Sequence, residues 1–207
     1  MPRSKSSAQW LRRHVDDPFV KKAKAQGLRS RAAFKLQEID ARDRLLRPGA
    51  RVVDLGAAPG SWSQHAARRV GPAGSVVAVD LLEVEPIPGV TILRGDFLDA
   101  AVVARVRSAM PGGRADVVLC DLSPNLSGIA SADQARAAAL AEQAIEFCRD
   151  VLAPDGALLV KVFQGAEFRG LLDELKRTFD SVQTRKPAAS REESRETYLL
   201  CRGLRGA

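Results

Sequence analysis

Val52-Val53-Asp54-Leu55-Gly56-Ala57-Ala58-Pro59-Gly60-Ser61-Trp62-Ser63-Gln64 is the stretch on which the reading of this chain turns. Two β-branched residues and a leucine make a short apolar strand, interrupted by one acid, Asp54. A glycine-containing turn then releases the chain into an Ala/Arg-rich helix. Strand, glycine turn and helix is how a doubly wound α/β sheet brings backbone close to a nucleotide-like ligand. Gly56 and Gly60 lack a Cβ, so the turn can be tight and a ligand can sit against its backbone. The spacing is Asp-x-Gly-x-x-Pro-Gly, not the G-x-G-x-x-G of dinucleotide-binding units. Alone, it also fits an ordinary strand–helix turn that needs glycine.

The flanking segments favour the sheet. Strand Arg51 to Leu55 and helix Ser61 to Val70 are followed by the turn Gly71-Pro72-Ala73-Gly74 and a strand from Ser75 to Asp80. Val90 to Arg94 is a third strand, ending at Gly95-Asp96-Phe97. A helix from about Asp99 to Met110, a buried strand from Ala115 to Cys120 and an Ala-rich helix from Ser131 to Leu152 come next. Gly156 to Phe163 reads as a strand broken only by Lys161, then helix Ala166 to Thr178, a strand near Ser181 to Lys186 and a last one from Glu196 to Cys201. Alternation of this kind predicts a mostly parallel seven-stranded sheet with one antiparallel strand near its end and helices on both faces.

Upstream of Pro48-Gly49, Ser30 is an N-cap candidate for a helix from Arg31 to Asp43. Its apolar residues Ala33, Phe34, Leu36, Ile39 and Ala41 follow helical spacing, and Lys35 sits where a core-facing position favours leucine. Before Gly27, Trp10 to Val15 and Phe19 to Ala25 read as one basic helix broken or started at Pro18, after a polar, frayed Met1 to Ala8.

At 207 residues the chain supports one well-buried core rather than two domains. No apolar run approaches the ~20 residues of a membrane span, and the basic N-terminus lacks a secretory h-region. Cys120, Cys148 and Cys201 lie far apart without metal-ligand spacing and read as reduced residues of a cytoplasmic protein. With only His14 and His65, a histidine triad or zinc site is disfavoured. Met1 to Arg51 carries fourteen Lys/Arg against five Asp/Glu, and the remainder eighteen against twenty, so the whole basic excess precedes the first core strand. Such an end fits a polyanion partner, with a merely solvated face and an anionic membrane surface as the competing readings. The membrane is the weaker one, because the segment lacks a broad apolar face.

Ligands of such a sheet bind outside the carboxyl ends of its strands, and the chemically useful residues fall there. Asp54 and Gly56 end the first strand and Asp80 the second; Asp96 follows the third, Asp121 the fourth, and Lys161 lies near the end of the fifth. One acid after a strand is readily a turn or cap residue; four acids and a lysine in the same relative position are not. The acids are spread over separate strand ends, without the clustering a divalent cation requires, so no metal is expected.

Five segments together resemble the FtsJ/RrmJ (RlmE) family of S-adenosylmethionine-dependent ribose 2′-O-methyltransferases. They are Ser30-Arg31-Ala32-Ala33-Phe34-Lys35-Leu36, Asp54 to Gln64, Asp121-Leu122-Ser123-Pro124-Asn125-Leu126-Ser127-Gly128, Leu159-Val160-Lys161-Val162-Phe163-Gln164-Gly165 and Ser194-Arg195-Glu196-Thr197-Tyr198-Leu199. The likeness runs in order from about Lys21 to the C-terminus. It implies a Rossmann-like methyltransferase domain over residues 30–207, before which the charge distribution makes residues 1–29 a basic RNA-binding extension. It also implies a uridine of 23S ribosomal RNA in the large ribosomal subunit as target, and we expect a monomer.

The family's catalytic set maps onto Lys35, Asp121, Lys161 and Glu196. On that mapping Lys161, buried near a second cation in Lys35, is the general base for a 2′-OH, which must lose its proton as it attacks. Asp121 orients Lys161 and holds the cofactor side of the site; Glu196 ties down Lys35 or the ribose. Read singly, Lys161 is equally a snorkelling strand-end lysine and Glu196 a cross-strand ion pair. For S-adenosylmethionine, Gly56, Gly60 and Trp62 line the turn over the methionine portion, although Trp62 equally suits a core anchor. Asp80 accepts from the ribose hydroxyls, and Asp96 accepts from the adenine amino group with Phe97 or Leu98 against the ring.

The run Asp121-Leu122-Ser123-Pro124 has no aromatic residue of the kind amine-directed methyltransferases place against a planar base. Asn125 either positions the ribose or caps the following turn. Ser61 stands where the family pattern has glycine. Lys21, Lys22, Lys24, Arg29 and Arg31 are candidates to grip phosphates. With one tyrosine and two tryptophans, recognition by RNA shape and a splayed nucleotide is favoured over base stacking. The rivals are a tRNA- or cap-directed 2′-O-methyltransferase, a small-molecule methyltransferase, and a non-catalytic ribosome-assembly factor.

Overall fold

The computed structural model of the protein describes residues 17–124, 128–191 and 194–206. Helix α1 (Pro18–Ala25) starts at a proline and is capped by the Asp17 carboxylate, which accepts from the Phe19 N–H at 2.9 Å. The possible helix over Trp10 to Val15, His14 and Asn125 lie outside the described residues. After α2 (Ala32–Asp43) come β1 (Arg51–Leu55), α3 (Ser61–Val70), β2 (Ser75–Asp80), β3 (Val90–Arg94), α4 (Ala100–Ser108) and β4 (Ala115–Cys120). The chain closes with α5 (Ala130–Val151), β5 (Leu152–Phe163), α6 (Phe168–Thr178), β6 (Phe179–Arg185) and β7 (Glu196–Leu204).

The seven strands form one sheet in the order β3-β2-β1-β4-β5-β7-β6. All neighbours are parallel except β7, which runs antiparallel to both β5 and β6. Successive side chains in a strand face opposite sides, and the core divides accordingly. Val53, Val77, Val118 and Leu158 join one buried cluster with Ile145 and Phe147 of α5. Val52, Val76, Val117 and Leu159 join the other with Leu36 and Ile39 of α2 and Trp62 of α3. Helices thus cover both faces, and truncating a fully buried Leu36 to alanine is expected to cost about 2–5 kcal/mol.

Strand and helix ends differ from the pattern-based limits where pairing or capping decides them. β5 begins at Leu152 because that residue pairs with Ala115, and β7 runs on to Leu204 because Leu204 pairs with Phe179. α4 starts one residue late because Asp99 is its cap, accepting from the Ala101 N–H at 2.8 Å. The Ser30 hydroxyl accepts from the Ala32 N–H at 3.2 Å and its carbonyl from the Ala33 N–H at 3.3 Å, with Arg31 in the cap position. The described part of the basic extension is docked: Ala23 and Leu28 are buried with Phe34 and Ala189, and the Phe19 and Phe34 rings lie 5.7 Å apart.

Candidate active site

The chain winds from β1 outward through β2 to β3, then returns to β4 on the other side of β1. The crevice at the carboxyl ends of β1 and β4 is therefore the topological switch point, where ligands of open α/β sheets bind. A cleft of about 50 Å³ lies there, lined by Asp54, Gly56, Ala58, Ser61, Trp62 and Asp121. A second hollow of about 220 Å³, lined by Ser30, Arg31, Lys35, Arg191, Ser194 and Glu196, adjoins it through the shared Ser30. The larger hollow of about 290 Å³ near Arg47, Asp116 and Asp155 is at the strand starts, away from all of these groups.

Two ion pairs border the hollows, Asp121 lining the cleft and Lys35 with Glu196 lining the second hollow. Lys161 Nζ lies 3.2 Å from Asp121 Oδ1, donates to the Asp121 carbonyl at 2.8 Å, and donates to the Ser123 hydroxyl. Lys35 Nζ lies 2.6 Å from Glu196 Oε1, which also accepts from the Ser190 hydroxyl at 2.9 Å. Lys161 and Tyr198 are direct cross-strand partners on β5 and β7, so their side chains share a face. The Tyr198 hydroxyl donates to Asp121 Oδ1 at 2.8 Å, and the Lys35 ammonium stands 5.6 Å from the centre of its ring. Lys35, Asp121, Lys161 and Glu196 are thus brought together from α2, the loop after β4, β5 and β7. Each lysine meets an acid of its own, with Tyr198 between the pairs.

Burial works against ionisation of Glu196, but the Lys35 ammonium and the Ser190 hydroxyl, with help from Lys161, hold its carboxyl below the usual range. Burial and the carboxylates of Asp121 and Glu196 push the Tyr198 hydroxyl well up, so it stays a donor. Asp54 is buried on the α3 side of β1. Its carboxyl is pushed up to about 7, chiefly by burial and further by the Asp121 and Asp80 charges, against the Ser63 hydroxyl that donates to it at 2.5 Å.

The turn residues behave unevenly. Gly56 and Gly60 adopt φ of +69° and +99°, so the tight turn does need glycine. The room left by their missing side chains is filled by protein: a Cβ on Gly56 would come 2.2 Å from Leu122 Cδ2, and one on Gly60 2.6 Å from Ile87 Cδ1. Trp62 borders the cleft, while its indole is buried, donates to the Ala32 carbonyl at 2.8 Å and packs on Tyr198 at 5.7 Å. Asp80 steadies the turn by accepting from the N–H groups of Ala58 and Leu82, each at 2.8 Å. Asp96 accepts from the Leu98 N–H at 3.0 Å. Phe97 is not available to a ligand ring, because it is buried edge-on against Phe147 at 6.0 Å. Leu81, Leu82 and Leu98, at 64%, 67% and 49% exposed, are instead the apolar side chains left open beside β2 and β3.

Two expected phosphate ligands are already engaged. Arg29 donates to the carbonyls of Pro59, Glu85 and Pro86, and Arg31 is bound to Asp17 and the Ala189 carbonyl. Sequence reasoning also left Tyr198, Ser123 and Ser190 without roles. The period-2 placement of Tyr198 after Glu196 was the one signal that could have marked it. Among the described residues no group of three His, Cys, Asp or Glu side chains suits a metal ion, and no helix is long and apolar enough to cross a membrane.

The family model for FtsJ-like methyltransferases matches residues 28–204. A protein of Azoarcus sp. named "Ribosomal RNA large subunit methyltransferase E" is 54% identical over 205 residues, covering 99% of this chain and 100% of its own. One of the same name from Pseudomonas aeruginosa is 50% identical, with both chains covered in full. The crystal structure of a putative ribosomal RNA methyltransferase from Plasmodium falciparum superposes with a TM-score of 0.76 at 27% identity, covering 85% of this chain and 98% of that one. A match across nearly the whole length, over a fold and side-chain set of this kind, means that the chain belongs to the FtsJ-like methyltransferase family.

Proposed function

We propose that this protein transfers a methyl group from S-adenosylmethionine to a ribose 2′-OH in 23S ribosomal RNA of the large subunit, a uridine being the acceptor. We place the reaction in the cytoplasm, with the enzyme acting as a monomer. The observation that carries the reading is the pairing of Lys161 with Asp121 at the switch point, beside a hollow bordered by Lys35 and Glu196. The names of the Azoarcus and Pseudomonas relatives support the large-subunit RNA as substrate.

The donor set suits a cationic ligand. Asp54, Asp80 and Asp121 converge closely enough for the latter two to raise the Asp54 carboxyl, a repulsion that a positive ligand relieves. Gly56, Gly60, Trp62 and Asp121 would hold its amino-acid end, with Asp80 and Asp96 under the nucleoside and Leu82 and Leu98 along it. S-adenosylmethionine, when bound, supplies a methyl group already activated by its sulfonium charge.

The remaining work falls to the chain's own residues. Lys161 Nζ in its neutral form accepts the 2′-OH proton as that oxygen gains the methyl group. The Asp121 carbonyl and carboxylate, with Ser123, fix the amine's position; the buried Tyr198 hydroxyl fixes Asp121 in turn. Lys35, held by Glu196, faces the acceptor hollow and can orient the ribose oxygen. No aromatic residue follows Asp121, which favours a ribose oxygen over a base nitrogen as acceptor.

The test is transfer of labelled methyl to purified ribosomal subunits, free ribosomal RNA and bulk tRNA, with Lys161→Ala in parallel. Label at one alkali-resistant ribose of large-subunit RNA, reduced at least ~100-fold in the variant, is expected. Label on tRNA alone would overturn the substrate, and no label on any RNA would overturn the function.

A further inference from the structure

The stretch from Gly27 to Ala32 is stitched to the cofactor turn and the start of α3 at four places. Gln64 Nε2 donates to the Gly27 carbonyl at 3.2 Å, and Trp62 Nε1 to the Ala32 carbonyl at 2.8 Å. The Ser30 and Ser61 hydroxyls bond at 2.7 Å. Arg29 makes the largest contribution. Its Nη1 donates to the carbonyls of Pro59 and Glu85, each at 2.9 Å, and its Nη2 to that of Pro86 at 2.7 Å.

These acceptors belong to two separate walls. Pro59 lies in the turn that lines the β1–β4 cleft, and Glu85-Pro86 follow the exposed leucines beyond Asp80. One guanidinium from the basic end therefore holds both walls. The side chain passes directly over Gly60, where a Cβ would stand 3.2 Å from Nη1 and 3.3 Å from Cδ. A planar fork with several fixed donors can bridge carbonyls in this way, whereas the single ammonium of lysine cannot reproduce it. On the RNA side, α1 is continuous with this strap through buried Leu28, whose N–H bonds the Ala23 carbonyl at 2.9 Å. On the catalytic side, the strap runs straight into α2 and Lys35.

We propose that Arg29 is a positioning residue for the cofactor turn and that, through the Gly27–Ala32 strap, it couples cofactor binding to RNA binding. The proposal rests on the reading of the protein as an RNA methyltransferase. Ordering of the turn by the cofactor and ordering of α1 by RNA act on one connected unit, so each ligand strengthens the other by the same factor. Arg29 is not spent on a phosphate.

The experiment measures S-adenosylhomocysteine binding by calorimetry, with and without an in vitro transcript of large-subunit ribosomal RNA, and RNA binding across a salt series with and without S-adenosylhomocysteine. In the wild type each ligand is expected to tighten the other about fivefold or more. In Arg29→Lys and Arg29→Met, S-adenosylhomocysteine should bind about tenfold more weakly alone, the mutual factor should fall to about one, and the slope of RNA affinity with salt should stay as in the wild type. The KM for S-adenosylmethionine should rise by more than kcat falls.

A slope reduced by about one with S-adenosylhomocysteine affinity intact would make Arg29 a phosphate ligand and overturn the proposal. Weaker binding of both ligands with the mutual factor preserved would also overturn it, leaving a purely structural arginine. Should Arg29→Met fail to fold, Arg29→Lys and Ser61→Gly carry the same measurements, the latter with a partial loss of the mutual factor. A wild type that methylates RNA with a mutual factor of one sinks the coupling alone. A wild type that binds S-adenosylhomocysteine yet neither binds nor methylates RNA sinks the function and the coupling together.

Discussion

Asp54 sits where burial outweighs its one side-chain hydrogen bond, and its carboxyl, pushed up to about 7, gives the protein a pH response of definite sign. The ordinary value is 3.8, so the stabilisation from keeping Asp54 protonated is complete below about 4 and lost as pH rises through about 7. Asp54→Asn keeps an acceptor for Ser63 and removes the titration. Relative to wild type, its melting temperature should therefore be higher at pH 8 than at pH 5 by several degrees, corresponding to at most a few kcal/mol. An offset independent of pH would contradict this. Glu196 responds in the opposite sense: its carboxyl is held low, so the Lys35 pair survives throughout the neutral range. Tyr198→Phe retains the buried ring and loses one bond to Asp121, at an expected cost of about 0.5–1.5 kcal/mol in denaturant unfolding. Methyl transfer should fall less than tenfold, because Lys161 keeps its contacts with Asp121 and Ser123.

Helix α2 carries Lys35, and its placement depends on polar contacts made beyond that residue. Asp40, buried within it, accepts from the Leu46 N–H at 2.7 Å and from Arg69 Nε at 2.8 Å, and lies 3.1 Å from His65 Nε2. Asp43 accepts from Arg185 at 2.7 Å and 2.6 Å, which fastens the same helix to β6. Burial opposes ionisation of Asp40, but His65, the Leu46 N–H and the Arg69 charge outweigh it and hold the carboxyl below 3.8. That contribution is present above about 4 and disappears as pH falls through the folded-state value. Asp40→Asn is expected to cost about 2 kcal/mol at pH 7, with the gap closing toward pH 3 in a denaturant series. None of this was legible in advance. The periodicity of Ala33, Leu36 and Ile39 marks a helix and its buried face, whereas the side-chain partners of Asp40, His65 and Arg69, lie on another helix at no characteristic spacing. The mostly parallel sheet with an antiparallel strand near its end follows from the alternation of elements, yet the order of the strands and the ends of β5 and β7 do not, since Ala115 and Phe179 determine those ends from across the sheet. In the same way the motifs around Lys35, Asp121, Lys161 and Glu196 were readable as segments, while the bonds from Ser123, Ser190 and Tyr198 that hold them were not. Arg29 and Arg31 show the limit for charge: composition counts cations but does not say which are already bound to protein.

Across the whole molecule, the basic excess is confined to the residues before β1, and only part of it is free to meet a polyanion. In α1 the apolar side chains of Phe19 and Ala23 face α2, while Lys21, Lys22 and Lys24 are exposed. Lys22 lies 5.0 Å from the centre of the Phe34 ring, leaving Lys21 and Lys24 as the cations of this helix best placed for phosphates. They stand on α1, from which the strap leads to Lys35, so RNA gripped there would lie toward the hollow lined by Lys35 and Glu196. Each phosphate contact adds about one to the slope of log affinity against log salt. The Lys21→Ala/Lys24→Ala double variant should therefore bind ribosomal RNA more weakly at low salt and converge on the wild type at high salt, with a slope lower by about two. Its melting temperature and its affinity for S-adenosylhomocysteine should match the wild type, because neither lysine contacts the turn or the core. This separates affinity from positioning within one basic segment, since Arg29→Lys is expected to weaken the cofactor and spare the slope. An unaltered slope in the double variant would return these lysines to ordinary solvated surface and shift the search for the RNA-binding face to Arg191 at the rim of the acceptor hollow.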